Sequence, residues 1–81
     1  MTLIDAVENL NYIILSVNYP NQTILSRLTD LDVKKGAKLT VIRKSSTNAC
    51  ALILINSRLI AISNEICKTI NIEKVKDDGK R

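Results

Sequence analysis

The stretch that most constrains this chain is residues 49–55, Ala-Cys-Ala-Leu-Ile-Leu-Ile, an unbroken apolar run bounded by polar residues 45–48 and by Asn56-Ser57. Seven residues is strand length, whereas a membrane-crossing helix needs about 18–20. Asn56-Ser57 reads as a hairpin turn that returns the chain into residues 58–62, again apolar. In a small antiparallel barrel one face of each strand is normally wet, so apolar and polar residues should alternate. Residues 49–55 do not alternate. If Ala51, Ile53 and Ile55 face inward, then Cys50, Leu52 and Leu54 face outward, joined by Thr40, Ile42 and Leu59. An apolar outer face of this kind marks an interaction site unless the N-terminal segment or a helix covers it. Interaction is the favoured reading.

The rest of the chain supplies the elements around that hairpin. Leu3, Ile4 and Val7 read as an N-terminal segment tucked under the domain. Residues 12–17 are apolar and β-branched, a first strand, and Tyr19-Pro20-Asn21 is a turn in which Asn21 is placed to cap a helix. Ile24, Leu25, Leu28 and Leu31 recur at helical spacing, and the helix should end near Asp32. Val33-Lys34-Lys35-Gly36 reads as a tight turn with Gly36 at positive φ. Residues 37–44 alternate Leu39, Val41 and Arg43 with Lys38, Thr40 and Ile42, the period of a strand. Residues 45–48 form a polar loop. Residues 63–68 read as a short helical turn capped by Ser63, with Glu65 in its first turn, and residues 69–73 as a last strand. Five short strands and one early helix predict a mainly β fold, a small five-stranded, partly open barrel with the helix between the first two strands. Residues 1–75 form the domain and residues 76–81 a basic flexible tail.

Composition narrows the chemistry. Of 81 residues, 27 are Ile, Leu or Val, too many and too regularly placed for a disordered chain. There is no His, which removes the usual general base and the commonest transition-metal ligand. Only Gly36 and Gly79 are glycines, so no phosphate-cradling loop is present, and neither cysteine has the base that nucleophilic catalysis requires. The chain is not expected to be an enzyme. The net charge of +4 is carried half by residues 74–81 and otherwise by a local run, Lys34, Lys35, Lys38, Arg43 and Lys44. That balance reads as a solvated rim and tail. Tyr12 and Tyr19 are the only aromatics that could stack bases, so nucleic acid is not expected as a partner. Asp5 and Glu8 interrupt the N-terminus and no signal peptide or membrane span is read; Cys50 and Cys67 are expected to stay reduced in a cytosol.

Cys50 and Cys67 are the candidate metal ligands, but two thiolates without His or a CxxC pair fall short of a four-ligand zinc site. Asp30 and Asp32 lie at a helix end with Lys34 where a calcium loop needs its next ligand, and Asp77 and Asp78 form a tail pair.

Several segments together resemble the FeoA family, the small ferrous iron transport protein A. Ile24-Leu25-Ser26-Arg27-Leu28-Thr29-Asp30-Leu31 is similar to that family's "LRRRLLDLG" helix, and Val33-Lys34-Lys35-Gly36 to the "hhPG" turn that follows. Leu39-Thr40-Val41-Ile42-Arg43-Lys44 resembles its "VxVIRR" strand, Arg58-Leu59-Ile60-Ala61-Ile62 its "xxLAL" strand, and Cys67-Lys68-Thr69-Ile70-Asn71-Ile72 its "AxxIxV" segment. Met1-Thr2-Leu3-Ile4-Asp5 is similar to the "MxLSD" opening. Three departures stand out: Asp32 occupies the position of the family's glycine after the helix, residues 46–50 replace its "PLGDP" loop, and Leu52 and Leu54 replace polar outward residues.

The resemblance implies an SH3-like barrel and a cytoplasmic, bacterial accessory of ferrous iron transport. Its partner would be the cytoplasmic GTPase region of a FeoB-type membrane permease, placing the protein peripheral to the inner membrane through that partner, without insertion of its own. The resemblance also implies transition-metal handling, with Fe²⁺ or Zn²⁺ as the candidate ion. On this reading the docking face is Ile42, Leu52 and Leu54, with Arg43, Lys44 and Arg58 at its rim. Three alternatives remain open at this point: a stand-alone metal-sensing barrel, a nucleic-acid-binding small barrel, and a homo-oligomer.

Overall fold

A computed structural model describes residues 1–45 and 49–75. A 3-10 turn, Leu3–Asp5, leads into strand β1, Asn11–Val17, and helix α1, Gln22–Asp30. Strands β2, Lys38–Ser45, β3, Cys50–Ile55, and β4, Arg58–Ser63, follow. The one-turn helix α2, Asn64–Cys67, and strand β5, Ile70–Lys74, complete the order. The five strands form one antiparallel sheet in the order β4-β3-β2-β1-β5. The predicted architecture, mainly β and incompletely closed with its longer helix between β1 and β2, is the one observed. Of the polar loop expected at 45–48, Ser45 instead ends β2, and residues 46–48, like the tail at 76–81, lie outside the described residues.

Local chemistry explains where the elements begin and turn. Asn21 caps α1, its Oδ1 accepting the Ile24 N–H at 3.1 Å, and Ser63 caps α2 in the same way through Ile66. The chain leaves α1 through Asp32 at φ 69° and turns at Gly36, φ 91°, whose N–H bonds to the Ile14 carbonyl at 2.8 Å. That bond ties the turn to β1 and sets where β2 starts. Asp32 is also held by the hairpin beyond, since Asn56 Nδ2 donates to its carboxylate at 2.6 Å.

One core fills the curved sheet. Ile14, Leu39, Val41, Ile53, Ile55, Ile62, Ile70 and Ile72 line its concave side, and Leu3, Leu28, Val33 and Cys67 close over them. Fully burying each such aliphatic side chain contributes roughly 1.5–3 kcal/mol, so this layer is the main source of stability. Of the expected helical stripe, Leu28 is buried, while Ile24 and Leu31 pack at the core margin.

The N-terminal segment does more than tuck in. Thr2 bridges Asn71, and the Ile72 N–H bonds to the Met1 carbonyl at 2.9 Å, so residues 1–2 cover the free edge of β5. At its other end the Asn9 N–H bonds to the Val41 carbonyl at 2.6 Å. The segment therefore straps β5 to β2 across the mouth of the barrel. One expectation needs correction: Ala6 is buried with Leu3, whereas Val7 is exposed. The strap turns so that the Val7 N–H reaches the Tyr12 hydroxyl at 2.8 Å, which sends the Val7 side chain outward.

Candidate functional site: the outer face of β3 and β4

Register decides which side chains meet on the outer surface. Ala51, Ile53 and Ile55 are buried, so the alternate residues Cys50, Leu52 and Leu54 face outward. Leu54 lies between Thr40 on β2 and Leu59 on β4; Leu52 lies between Arg43 and Ala61. Leu54 and Leu59 are 38 % and 63 % exposed, and Leu52 is half-buried between its neighbours. Leu52, Leu54, Leu59 and Ala61 form a two-by-two apolar block. Neither the N-terminal segment nor α1 covers Leu54 or Leu59, the alternative that the sequence left open. A groove of about 380 Å³ borders the block, bounded by Lys38, Thr40, Leu54 and Asn56.

The proposed rim divides. Strict alternation would place Arg43 with Leu39 and Val41 on the core side. A β-bulge between Val41 and Arg43 prevents this: Ile42 is the extra residue, and Arg43 moves opposite Leu52 on the outer face. Ile42 is half-buried at that bulge. Lys44 does not join the rim. It takes the inward register opposite Ala51, and its ammonium donates to the carbonyls of Ile4 at 2.6 Å and Ala6 at 2.9 Å. Its own N–H donates to Glu8 Oε2 at 2.7 Å, so both ends of Lys44 hold the strap. Arg58 pairs with Ile55, on the opposite face from Leu54 and Leu59, at the mouth of the hairpin. The basic residues actually beside the block are Arg43 and Lys38, neither of which has an ion-pair partner among the described residues. Ala61 belongs to the block through strand alternation alone, a signal already present in residues 58–62.

The cysteines differ. Cys50 is half-buried in the outward register opposite Ser63, whereas Cys67 is fully buried and its thiol donates to the Ile62 carbonyl at 3.6 Å. Burial pushes the Cys67 thiol up to about 11, with the nearby Cys50 adding to the rise and Lys44 opposing it. A metal ligand must be the thiolate, and this environment holds the proton on. Among the described residues no three His, Cys, Asp or Glu side chains come together. Among the described residues, Cys50 and the protonated Cys67 by themselves fall short of a four-ligand transition-metal centre.

Tyr12 is a core residue whose hydroxyl accepts from Val7, and the Tyr19 hydroxyl donates to Glu65 at 3.2 Å, which raises the Tyr19 pKa. No helix among the described residues is long and apolar enough to cross a membrane.

A five-stranded, strapped, incompletely closed sheet with a helix after β1 is the SH3-like barrel shared by FeoA proteins and the C-terminal domains of metal-dependent repressors. The FeoA domain model matches residues 1–74, and the chain belongs to that family. The solution structure of FeoA from Chlorobium tepidum superimposes with a TM-score of 0.83 at 23 % identity, covering 94 % of this chain and 71 % of that one. A crystal structure of an iron uptake regulatory protein (FeoA) gives 0.77 at 13 % identity over 93 % of this chain and 96 % of its own. A manganese-dependent transcriptional repressor, in complex with manganese, gives 0.84 at 9 % identity over 93 % of this chain but only 36 % of the repressor. At these identities the likeness establishes the fold. No curated protein matches the chain significantly.

Proposed function

We propose that this protein is a non-enzymatic accessory of ferrous iron transport that acts in the cytoplasm by docking on the GTPase region of a FeoB-type permease. Membership of the FeoA family implies the process. The observation that carries the docking reading is the uncovered block Leu52, Leu54, Leu59 and Ala61 beside Arg43 and Lys38, cations without an ion-pair partner among the described residues. A small domain gains nothing in its own folding from two leucines left this exposed, and apolar centres with charged rims are the chemistry of protein interfaces. The complementary surface would be apolar with carboxylates at its margin. Such a module acts by differential binding: it favours whichever transporter state it binds better.

The test is an amide chemical-shift titration of the labelled chain with the soluble GTPase region, followed by Fe²⁺ in the same sample. Shifts centred on Leu52, Leu54 and Leu59, lost in Leu54→Glu together with iron uptake in cells, are the expected result. A Leu54→Glu variant that binds and supports uptake normally overturns the docking face. Shifts around Cys50 and Cys67 on adding Fe²⁺ alone would instead assign metal binding to the domain itself.

A further inference from the structure

The two edges of the sheet are treated differently. The β5 edge is covered by Met1 and Thr2, and β5 ends in the charged pair Glu73-Lys74. The β4 edge pairs with β3 alone, in unbroken register from Arg58 to Ser63, and has no proline, no bulge and one charge. Proteins ordinarily protect such an edge, because a row of open backbone groups recruits another strand.

Hairpin geometry identifies which groups are open. Asn56 and Ser57 both have positive φ, 49° and 66°, the signature of a type I′ two-residue turn. The pair that closes such a turn, Ile55 and Arg58, is hydrogen-bonded; pairs then alternate along the hairpin. Ile53–Ile60 and Ala51–Ile62 are therefore bonded pairs, while Leu54–Leu59 and Leu52–Ala61 are not. The N–H and C=O groups of Leu59 and Ala61 point away from β3, and no backbone or side-chain partner meets them among the described residues.

We propose that the β4 edge is a homodimer interface: two copies join antiparallel about a dyad through Ile60, extending the five-stranded sheet to ten strands. In that register Leu59 of each copy exchanges both backbone hydrogen bonds with Ala61 of the other. The large, 63 %-exposed Leu59 side chain then packs against the small Ala61 of the second copy. Ile60 meets its own counterpart in a non-bonded pair, where side chains approach most closely.

Charge selects this occupant. Arg58 is the only charged residue of β4 and sits at one end. Antiparallel pairing about Ile60 places the two Arg58 residues four positions apart, roughly 13 Å at about 3.3 Å per residue, beyond the Debye length of about 8 Å at physiological salt. Each faces Ile62 of the other copy. A parallel arrangement would set the two cations side by side. The edge is thus complementary to itself in hydrogen bonding, size and charge, and the proposal stands whether or not the chain docks on a permease.

The experiment uses the purified full chain alone. Sedimentation equilibrium over micromolar to millimolar concentration should show the mass rising from one chain to two. Hydrogen exchange should show the Leu59 and Ala61 amides becoming protected over the same range. Ala61→Pro, which removes an N–H that β3 does not use, and Ala61→Lys, which places a charge against Leu59 of the second copy, should both remain monomeric with an unchanged far-UV spectrum. A chain that stays monomeric with both amides exchanging freely overturns the proposal. So does a dimer in which those amides remain unprotected or which both variants still form. Protection appearing only on addition of the permease GTPase region would overturn it as well, assigning the edge to a foreign strand.

Discussion

Arg43 stands directly across from Leu52 because Ile42 is bulged out of the β2 ladder. One inserted residue thereby moves a guanidinium from the core side of the sheet to the border of its apolar outer block and leaves Lys44 with the inward register. The same bulge thus supplies a cation to the candidate docking face and a clamp to the strap.

The clamp predicts a stability effect larger than that of an ordinary surface lysine. Hydrogen bonds to a charged group contribute about 1.5–3 kcal/mol, and the Lys44 ammonium makes two to the strap. Lys44→Met should lower unfolding free energy by about that amount, measured by urea denaturation. It should also speed hydrogen exchange at Val7 and Asn9 ahead of the β3 amides. A change within about 0.5 kcal/mol, the usual range for surface substitutions, would show that the strap does not depend on the Lys44 ammonium.

Substitution of the outer block should separate binding from folding. Leu54 and Leu59 are 38 % and 63 % exposed, so Leu54→Glu and Leu59→Glu should alter stability by no more than about 0.5 kcal/mol. Ile53→Glu, one position away but buried, should abolish folding. Melting curves of the three variants check this contrast, and it fails if the two exposed substitutions unfold the domain.

Ser57 adopts φ 66° in the hairpin turn, a conformation glycine reaches without a Cβ penalty. Ser57→Gly should raise the melting temperature, corresponding to about 0.5–1 kcal/mol after the added unfolded-state freedom of glycine is offset. Gly36→Ala tests the opposite sign at φ 91°: open space surrounds the new Cβ, so any loss, about 1 kcal/mol, comes from the backbone alone. Equal melting temperatures for wild type and both variants would contradict the turn geometry.

Cys67 predicts an alkaline limb. Its thiol rises from 9.0 to about 11 on folding, so between these values the unfolded chain loses a proton that the folded chain keeps. Stability from this group is complete below pH 9 and is lost as pH rises toward 11, at up to about 1.4 kcal/mol per pH unit. Cys67→Ala should flatten that limb relative to wild type in melting curves taken from pH 8 to 11, while Cys50→Ser should leave most of it in place. An unchanged limb in Cys67→Ala would assign the titration elsewhere.

Much of this was legible in residue order. The apolar run at 49–55, the Asn56-Ser57 turn, the Asn21 and Ser63 caps and the helical spacing of Ile24, Leu28 and Leu31 are local signals, each with its own short-range physics. They locate the strands, turns and helices, and the period-two rule divides Leu52 and Leu54 from Ile53 and Ile55 without any tertiary information. The fates of the basic residues were not legible, because neither a bulge nor the reach of a lysine has a local sequence mark. Arg43, Lys44 and Arg58 look alike as a rim in the sequence, yet one borders the outer block, one clamps the strap and one flanks the hairpin mouth.

The sequence by itself thus determined the barrel and the existence of an apolar outer face, since both follow from hydrophobic periodicity over a few residues at a time. Tertiary structure alone decided which cations border that face and which sheet edge stays open. Those outcomes depend on the β2–β3 register around the bulge and on where the N-terminal strap lands; the first is set by pairing between neighbouring strands, the second by contacts between residues roughly 30 to 70 positions apart in the chain.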